Sequence, residues 1–356
     1  RDGLIKTASN NVPRVDFTDS TDGALLLEPA RTNLVNYSKD FSSWTQVETS
    51  TVSIADSFDG SNNAYRVSIT SGSGFQTIRK TGLSVSNTQT FTIYAKKDTL
   101  NFTRILFGGF GSFWVDLENG TQGTTSVSFD DITITSVGNG FFKIVATFTP
   151  TSAVTHVYLY PSVGDGNANQ TSGSVIFQYA QLEVGSYATS YIPTSGSTVE
   201  RVADSCSQTP TTGIIGQTEG TVFVNAKITF DSRNGRIFVF NGASGNFIEL
   251  VGKLNGKINY FVRISGSTQA DIDSATTYTS GDTLKIAFAY KLNDFVLYIN
   301  GTQQGADTGG VVPSSMAQVI LNNYTGPGFN EANQYNDVRI YNTALTDAEL
   351  ATLTTT

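Results

Sequence analysis

Sulfur and imidazole are nearly missing from this chain: one Cys, one His and one Met stand among 356 residues. A single Cys206 cannot close an internal disulfide, and no Cys/His zinc site or haem-attachment pattern can be assembled. A Ser-His-Asp or Cys-His mechanism would have to run through His156, the one histidine. Charge is also scarce, at 15% against about 25% in ordinary soluble domains. What charge there is leans acidic, with 22 Lys and Arg against 30 Asp and Glu and a net charge of −8. That balance excludes the basic footprint that nucleic acid demands, so no nucleic-acid partner is expected. It equally disfavours attraction to an anionic membrane. No apolar run approaches the roughly 20 residues that span a bilayer, and no secretory leader pattern is visible, so membrane insertion is not expected. The chain opens on Arg1 rather than Met, which is read as a piece of something longer.

Gly is abundant at 34 and aromatics reach 11%, while Thr, Ser, Asn and Gln fill the place of charge. This is the composition of an all-β protein. From residue 34 to about 195 the pattern alternates with period 2, as half-buried strands do. Phe91, Ile93 and Ala95 share one face, as do Phe113, Val115 and Leu117, and Val157 and Leu159. Val175–Glu183 reads as a closing strand. Between them lie turn clusters such as Glu118-Asn119-Gly120 and Gly138-Asn139-Gly140, whose Asn and Gly accept positive φ. A Ser/Thr/Gly-rich connector occupies 194–219 and ends in a turn at 210–213.

A second series of strands follows: 222–230, 236–240, 247–251, 257–264, 283–290, 295–299, 318–321 and 337–341. Asn300-Gly301 is a strong hairpin signal. Only Thr346-Asp347-Ala348-Glu349-Leu350 looks helical, as a capping box. The expected fold is therefore all-β: two tandem antiparallel β-sandwiches (jelly rolls) with a short C-terminal helical turn. The expected divisions are 1–33, a connector whose three leucines dock on the first domain; 34–208, the first sandwich; and 209–356, the second.

Several separated motifs, in order, carry a resemblance. Pro13-Arg14-Val15-Asp16-Phe17, Leu25 to Leu34 (Leu-Leu-Leu-Glu-Pro-Ala-Arg-Thr-Asn-Leu), Phe41-Ser42-Ser43-Trp44, Val137 to Lys143, Tyr179 to Glu183, Ala188 to Thr194 and Val199 to Asp204 resemble a module of bacteriophage tail, fibre and spike proteins. It covers about residues 10–208, and its implied fold is a jelly roll similar to family 4/9/22 carbohydrate-binding modules. Residues 220–356, through Gly220-Thr221-Val222-Phe223, Leu297 to Gly301 and Asn336 to Asn342, resemble a concanavalin A-like, laminin-G-type jelly roll. Such domains bind glycans or proteins, or build structure.

Strand parity nominates a site. If Phe113, Val115 and Leu117 face inward, Trp114 and Asp116 face outward, and so do Tyr94, His156, Tyr158 and Tyr160. Aromatic rings beside polar groups suit a sugar, the ring packing on the pyranose C–H face and the polar groups taking hydroxyls; the same face could instead be packed under a neighbouring segment. Trp44 reads as a structural plug, His156 as a hydrogen-bonded sheet histidine and Cys206 as a reduced or buried thiol. Jelly rolls of this kind often carry a structural Ca²⁺. Asp56, Asp59 and Glu183 are its candidates in the first domain, with Asp271, Asp273 and Asp337 weaker ones in the second.

No catalytic pair emerges. Glycosidases need two carboxylates about 5–10 Å apart, and the Glu-x-Asp-x-x-Glu run of concanavalin-like glucanases is absent. Gly108-Gly109-Phe110-Gly111 lies between strands with no following helix, so it is no phosphate loop. The resemblance implies a non-enzymatic adhesin on the surface of a virion, in a tail fibre or spike. It would bind host cell-surface polysaccharide, contact other virion proteins and form a homo-oligomer, a trimer first. A structural spacer or decoration protein, and the binding region of a polysaccharide-degrading enzyme, are the alternatives.

Overall fold

A computed structural model describes residues 12–18, 21–72, 74–167, 170–209, 213–230, 234–322 and 331–355. The turn expected at 210–213 lies largely outside the described residues. Every strand pairing is antiparallel, and one helix, Asp347–Thr355, closes the chain. The described residues divide into two compact units, 31–201 and 12–30 with 202–355.

The first unit is a sandwich of two six-stranded sheets. In spatial order the front sheet runs Thr121–Thr125, Gly111–Asp116, Phe102–Gly108, Val154–Ser162, Thr77–Val85 and Thr45–Val47; the back sheet runs Asp131–Gly138, Phe141–Phe148, Gln89–Lys97, Ser174–Val184, Ala64–Ile69 and Thr49–Ile54. Alternation places Phe113, Val115, Ile105, Phe107, Val157 and Leu159 of the front sheet against Phe91, Ile93, Ile144, Phe148 and Phe177 of the back one, all at most 1% exposed. Burying a side chain of this size contributes about 1.5–3 kcal/mol, which is why the period-2 pattern fixes which face turns inward. Trp44 is 3% exposed in this core, 5.0 Å from the Phe41 ring, and its Nε1–H donates to the Tyr37 carbonyl at 3.2 Å.

The second unit is also a two-sheet sandwich. Seven strands (Val15–Asp16, Ala24–Leu27, Asn333–Tyr341, Glu219–Lys227, Thr283–Lys291, Asp294–Ile299, Thr302–Asp307) face six (Cys206–Gln208, Met316–Leu321, Gly235–Gly242, Phe247–Gly252, Ile258–Ile264, Ser267–Asp273). Asn300 (φ 48°) and Gly301 (φ 80°) make the tight hairpin that their pair demands. At the start of the terminal helix the Thr346 N–H and hydroxyl both donate to the Glu349 carboxylate, at 2.8 and 2.7 Å, which is the side-chain half of a capping box.

Two expectations about the segment boundaries are corrected. The leucine stretch does not dock on the first sandwich. Leu25, Leu26 and Leu27 pair with Tyr335, Gln334 and Asn333, and Leu27 enters the core of the second unit. The reason is the edge strand Asn333–Tyr341, whose open backbone groups are satisfied by a further strand. Likewise Cys206–Gln208 pairs with Val319–Leu321 and so belongs to the second sandwich, not to the end of the first. Arg14 locks this arrangement, donating to Glu28 at 2.5 Å and to Asp204, while the Glu28 N–H donates to Asp204 at 2.7 Å.

Candidate functional site

The outward face of the front sheet carries a line of rings. His156, Tyr158 and Tyr160 alternate along one strand, and their side chains rise on the same side. Their planes lie nearly parallel, at 5.5 Å from His156 to Tyr158 and 6.1 Å from Tyr158 to Tyr160. The neighbouring strand pairs Arg104 with Tyr160, and the next pairs Trp114 with Arg104. The Arg104 guanidinium therefore lies between two rings, 4.6 Å from the Trp114 centroid and 5.4 Å from that of Tyr160. Its Nε and Nη2 donate to Ser112 Oγ at 3.1 and 3.0 Å, which fixes the plane of the fork. On the other side Arg79 stands opposite Tyr158.

Two polar atoms of this face have no protein partner among the described residues. The Trp114 Nε1–H and the Arg79 Nε–H are buried and unpaired. Such groups are uncommon and call for a water, ion or ligand. Burial lowers the affinity of Arg104 for its proton, against a smaller opposing effect of the Tyr160 hydroxyl. Burial raises the Tyr160 phenol, although Arg104 and Arg79 both act on it in the opposite direction. His156 Nδ1 meets Thr155 Oγ1 at 2.7 Å, so the ring is oriented within the sheet. After Ser162 the chain crosses the width of two strands to reach Thr121–Thr125. There Asp165 accepts from the Thr124 N–H at 2.9 Å and its hydroxyl at 2.8 Å. Trp114 and Tyr160 are 9% and 5% exposed, whereas Tyr158, His156, Arg104 and Arg79 are half-buried. The arrangement offers stacking surface, rigid donors and positive charge.

Four of the six sequence-nominated residues meet here: Trp114, His156, Tyr158 and Tyr160. Tyr94 does not. Its outward parity is as read, but it belongs to the back sheet, where it stacks on Phe58 at 4.2 Å and packs with Phe141 and Tyr179 in a buried outer cluster. Asp116 is on the right sheet, yet its carboxylate turns to the hairpin tip, accepting from Glu118 N–H at 2.8 Å and Asn119 Nδ2 at 2.8 Å. Burial raises its pKa, but those bonds outweigh it and the net direction is down. Arg104 and Arg79 escaped the sequence reading. The signal was available: Arg104 sits between inward Thr103 and Ile105, the same parity rule that selected Trp114.

The proposed calcium ligands do not converge. Among the described residues no group of three or more His, Cys, Asp or Glu side chains is placed to hold a metal ion. Asp56 pairs with Lys96 at 2.8 Å. Asp59 accepts from Ser61, Gln178 and Tyr179. Glu183, fully buried, accepts from the Thr189 N–H and hydroxyl at 2.9 and 2.6 Å and from Gln181 at 2.8 Å. In the second unit Asn259 Nδ2 bridges Asp271 and Asp273 at 2.7 and 2.9 Å, and Asp337 pairs with Arg339. These donor sets already satisfy the carboxylates, so the residues do not fit a Ca²⁺ site. Glu249 and Glu118, isolated in the sequence, pair with Arg236 and Lys97. Cys206 is half-buried and unbridged, and burial pushes its thiol pKa up.

Three of the resemblance motifs turn out to be one buried knot. Asn33 Nδ2 donates to the Ala180 and Ile192 carbonyls at 3.1 and 2.8 Å, and its Oδ1 accepts from Val35 and Leu182 N–H at 3.1 and 3.2 Å. Gln181 Oε1 accepts from the Ile192 N–H at 2.7 Å, and Thr194 closes on Val35 and Ser38. The motif residues 31–35, 179–183 and 188–194 thus act on the framework of the first unit.

Residues 203–351 match the family model of the concanavalin A-like lectin/glucanase superfamily. No curated protein matches the chain. Among solved structures, the chain is similar to a heptameric SAP-like pentraxin from Limulus polyphemus (18% identity, TM-score 0.31, 38% of this chain and 69% of that one). It is also similar to the CBM40 of a Ruminococcus gnavus IT-sialidase bound to α2,3 sialyllactose (18%, 0.34, 39% and 84%). A third is domain 4 of AbnA, a GH43 extracellular arabinanase of Geobacillus stearothermophilus, in complex with arabinotriose (20%, 0.34, 48% and 81%). Residues 203–351 thus have the concanavalin A-like jelly-roll fold, in a chain whose regular secondary structure is almost all antiparallel β-strand among the described residues.

Proposed function

We propose that this chain binds carbohydrate without transforming it, and that the front face of the first unit is the binding surface. The observation that carries this is the stacked series His156, Tyr158, Tyr160, Arg104 and Trp114 with unpaired donors beside it. The half-open rings of His156 and Tyr158 give pyranose C–H faces a partner, and the half-buried guanidiniums of Arg79 and Arg104 give hydroxyls one. The lectin-type family match of residues 203–351 supports the same class of function. A glycan array probed with the recombinant chain tests it. Binding that falls about two- to tenfold in Trp114→Ala, the range for an aromatic contact, supports the reading; an array without hits, or binding indifferent to that change, refutes it.

The finer proposal is an adhesin of a virion tail fibre or spike, acting outside the cell on host-surface polysaccharide. Its support is the ordered motif set between Pro13 and Asp204. Weak single sites would then gain avidity from repeated copies, with a homotrimer as the expected assembly. Sedimentation velocity measures the assembly directly. Adsorption to bacterial cells before and after enzymatic stripping of surface polysaccharide measures the role: adsorption that survives stripping contradicts it.

A further inference from the structure

Arg79 and Arg104 carry half-buried charge with no carboxylate against it, in an acidic protein. Arg14, Arg31, Arg66, Arg236 and Arg339 each face a carboxylate. Among the described residues Arg79 and Arg104 have none, although the chain carries eight more acidic than basic side chains. Both flank the same ring series, Arg104 pairing across to Tyr160 and Arg79 to Tyr158. Both are close enough to act on the Tyr160 hydroxyl. Arg104 is held by Ser112 through Nε and Nη2, which leaves Nη1 uncommitted. The buried Nε–H of Arg79 is unpaired. Two half-desolvated guanidiniums without counter-charge are costly in the free protein. A planar carboxylate reaching between them would supply the missing acceptor, and Arg is the side chain whose fork matches that shape.

We infer that the front face of the first unit selects an acidic saccharide, a polymer of uronic or sialic acid units, with the sugar ring on the half-open Tyr158 and its carboxylate taken by Arg79 and Arg104. This rests on the carbohydrate reading above and sharpens it to a substrate class. A neutral sugar would stack on the rings but leave both charges unpaired. An inorganic phosphate or polyphosphate would meet the charges but make no use of the rings.

The test is affinity electrophoresis of the full chain at physiological ionic strength. The gels contain polysialic acid, polygalacturonic acid or hyaluronan, each also in carboxyl-reduced form, with polyphosphate, xylan and mannan alongside. At least one acidic polymer is expected to retard the chain, with its carboxyl-reduced form weaker by about ten- to a hundredfold, as a charge-assisted hydrogen bond implies. Arg79→Gln reproduces that loss on the acidic polymer and leaves residual binding to the reduced form unchanged, whereas Tyr158→Ala weakens both. Arg79 has no partner to lose, so its variant should melt like the parent. Equal affinity for acidic and reduced forms, parent-like binding by Arg79→Gln, or equal retardation by polyphosphate overturns the acidic-sugar inference and leaves the carbohydrate reading standing. Binding to none of the saccharides, or binding unaffected by Tyr158→Ala, overturns both.

Discussion

Replacing Asn33 probes how the first unit is held together. The side chain is fully buried and satisfies four backbone groups from three separate segments. In Asn33→Ala the carbonyls of Ala180 and Ile192 lose one acceptor contact each, which a carbonyl with a second lone pair tolerates in part. The N–H groups of Val35 and Leu182 lose their only side-chain acceptor. An orphaned buried group costs about 1–3 kcal/mol, so the two donors together with the weakened carbonyls give about 3–5 kcal/mol. Asn33→Asp is worse at neutral pH, because it aims a carboxylate oxygen at two carbonyl oxygens. Its pKa is then raised in the folded state, so its penalty grows as pH rises above the unfolded carboxylate value and shrinks in acid. Urea titration followed by tryptophan fluorescence is the assay. Both tryptophans, Trp44 and Trp114, lie in the first unit, so the signal reports that unit alone. With a urea slope of about 2 kcal/mol/M, the Asn33→Ala midpoint falls by about 1.5–2.5 M. A fall below about 0.5 M, or an Asn33→Asp variant insensitive to pH, refutes the account of the knot.

Further outcomes follow from the buried charges. Burial raises the Glu183 carboxyl in spite of the opposing bonds from Thr189 and Gln181 and the charge of Arg31. The folded state therefore holds that proton more tightly than the unfolded chain, and the stability it contributes is full below about pH 4.5 and declines as pH rises through the folded value, at no more than about 1.4 kcal/mol per pH unit. Glu183→Gln should flatten that decline in the same fluorescence titration; an unchanged slope contradicts it. Glu249, 5% exposed, is paired with Arg236 at 3.1 Å, so Arg236→Ala leaves a buried carboxylate with only the charge of Arg263 acting on it and should cost the second unit about 3 kcal/mol. Amide exchange in Phe247–Gly252 reads this, and unaltered protection there counts against it. Arg79→Gln should leave the thermal midpoint of the first unit unmoved, since no described residue pairs with the Arg79 side chain; a clear drop would mean a structural role.

Much of the fold was legible because alternation carries it. Phe113, Val115, Val157 and Leu159 declare the inward face, and Asn300-Gly301 declares a hairpin, from local sequence alone. The site was legible only by half. Parity states that a ring faces outward but not from which sheet, so Tyr94 was grouped with Trp114 although the two sit on opposite sides of one sandwich. Asp116 was drawn off by a hydrogen bond to its own turn, a competition that short polar side chains often win. The leucine segment was misplaced because strand partners 300 residues apart leave no local mark: Leu25 meets Tyr335.

The central claim is that saccharide binds at the rings of the front sheet. Amide hydrogen exchange of the chain with and without the tightest saccharide of the array locates that contact. The account predicts added protection in Phe102–Asp116 and Val154–Ser162, lost in Tyr158→Ala and retained when the 73% exposed Phe75 is changed to Ala. Protection confined to residues 219–355, or unaltered by Tyr158→Ala, contradicts it.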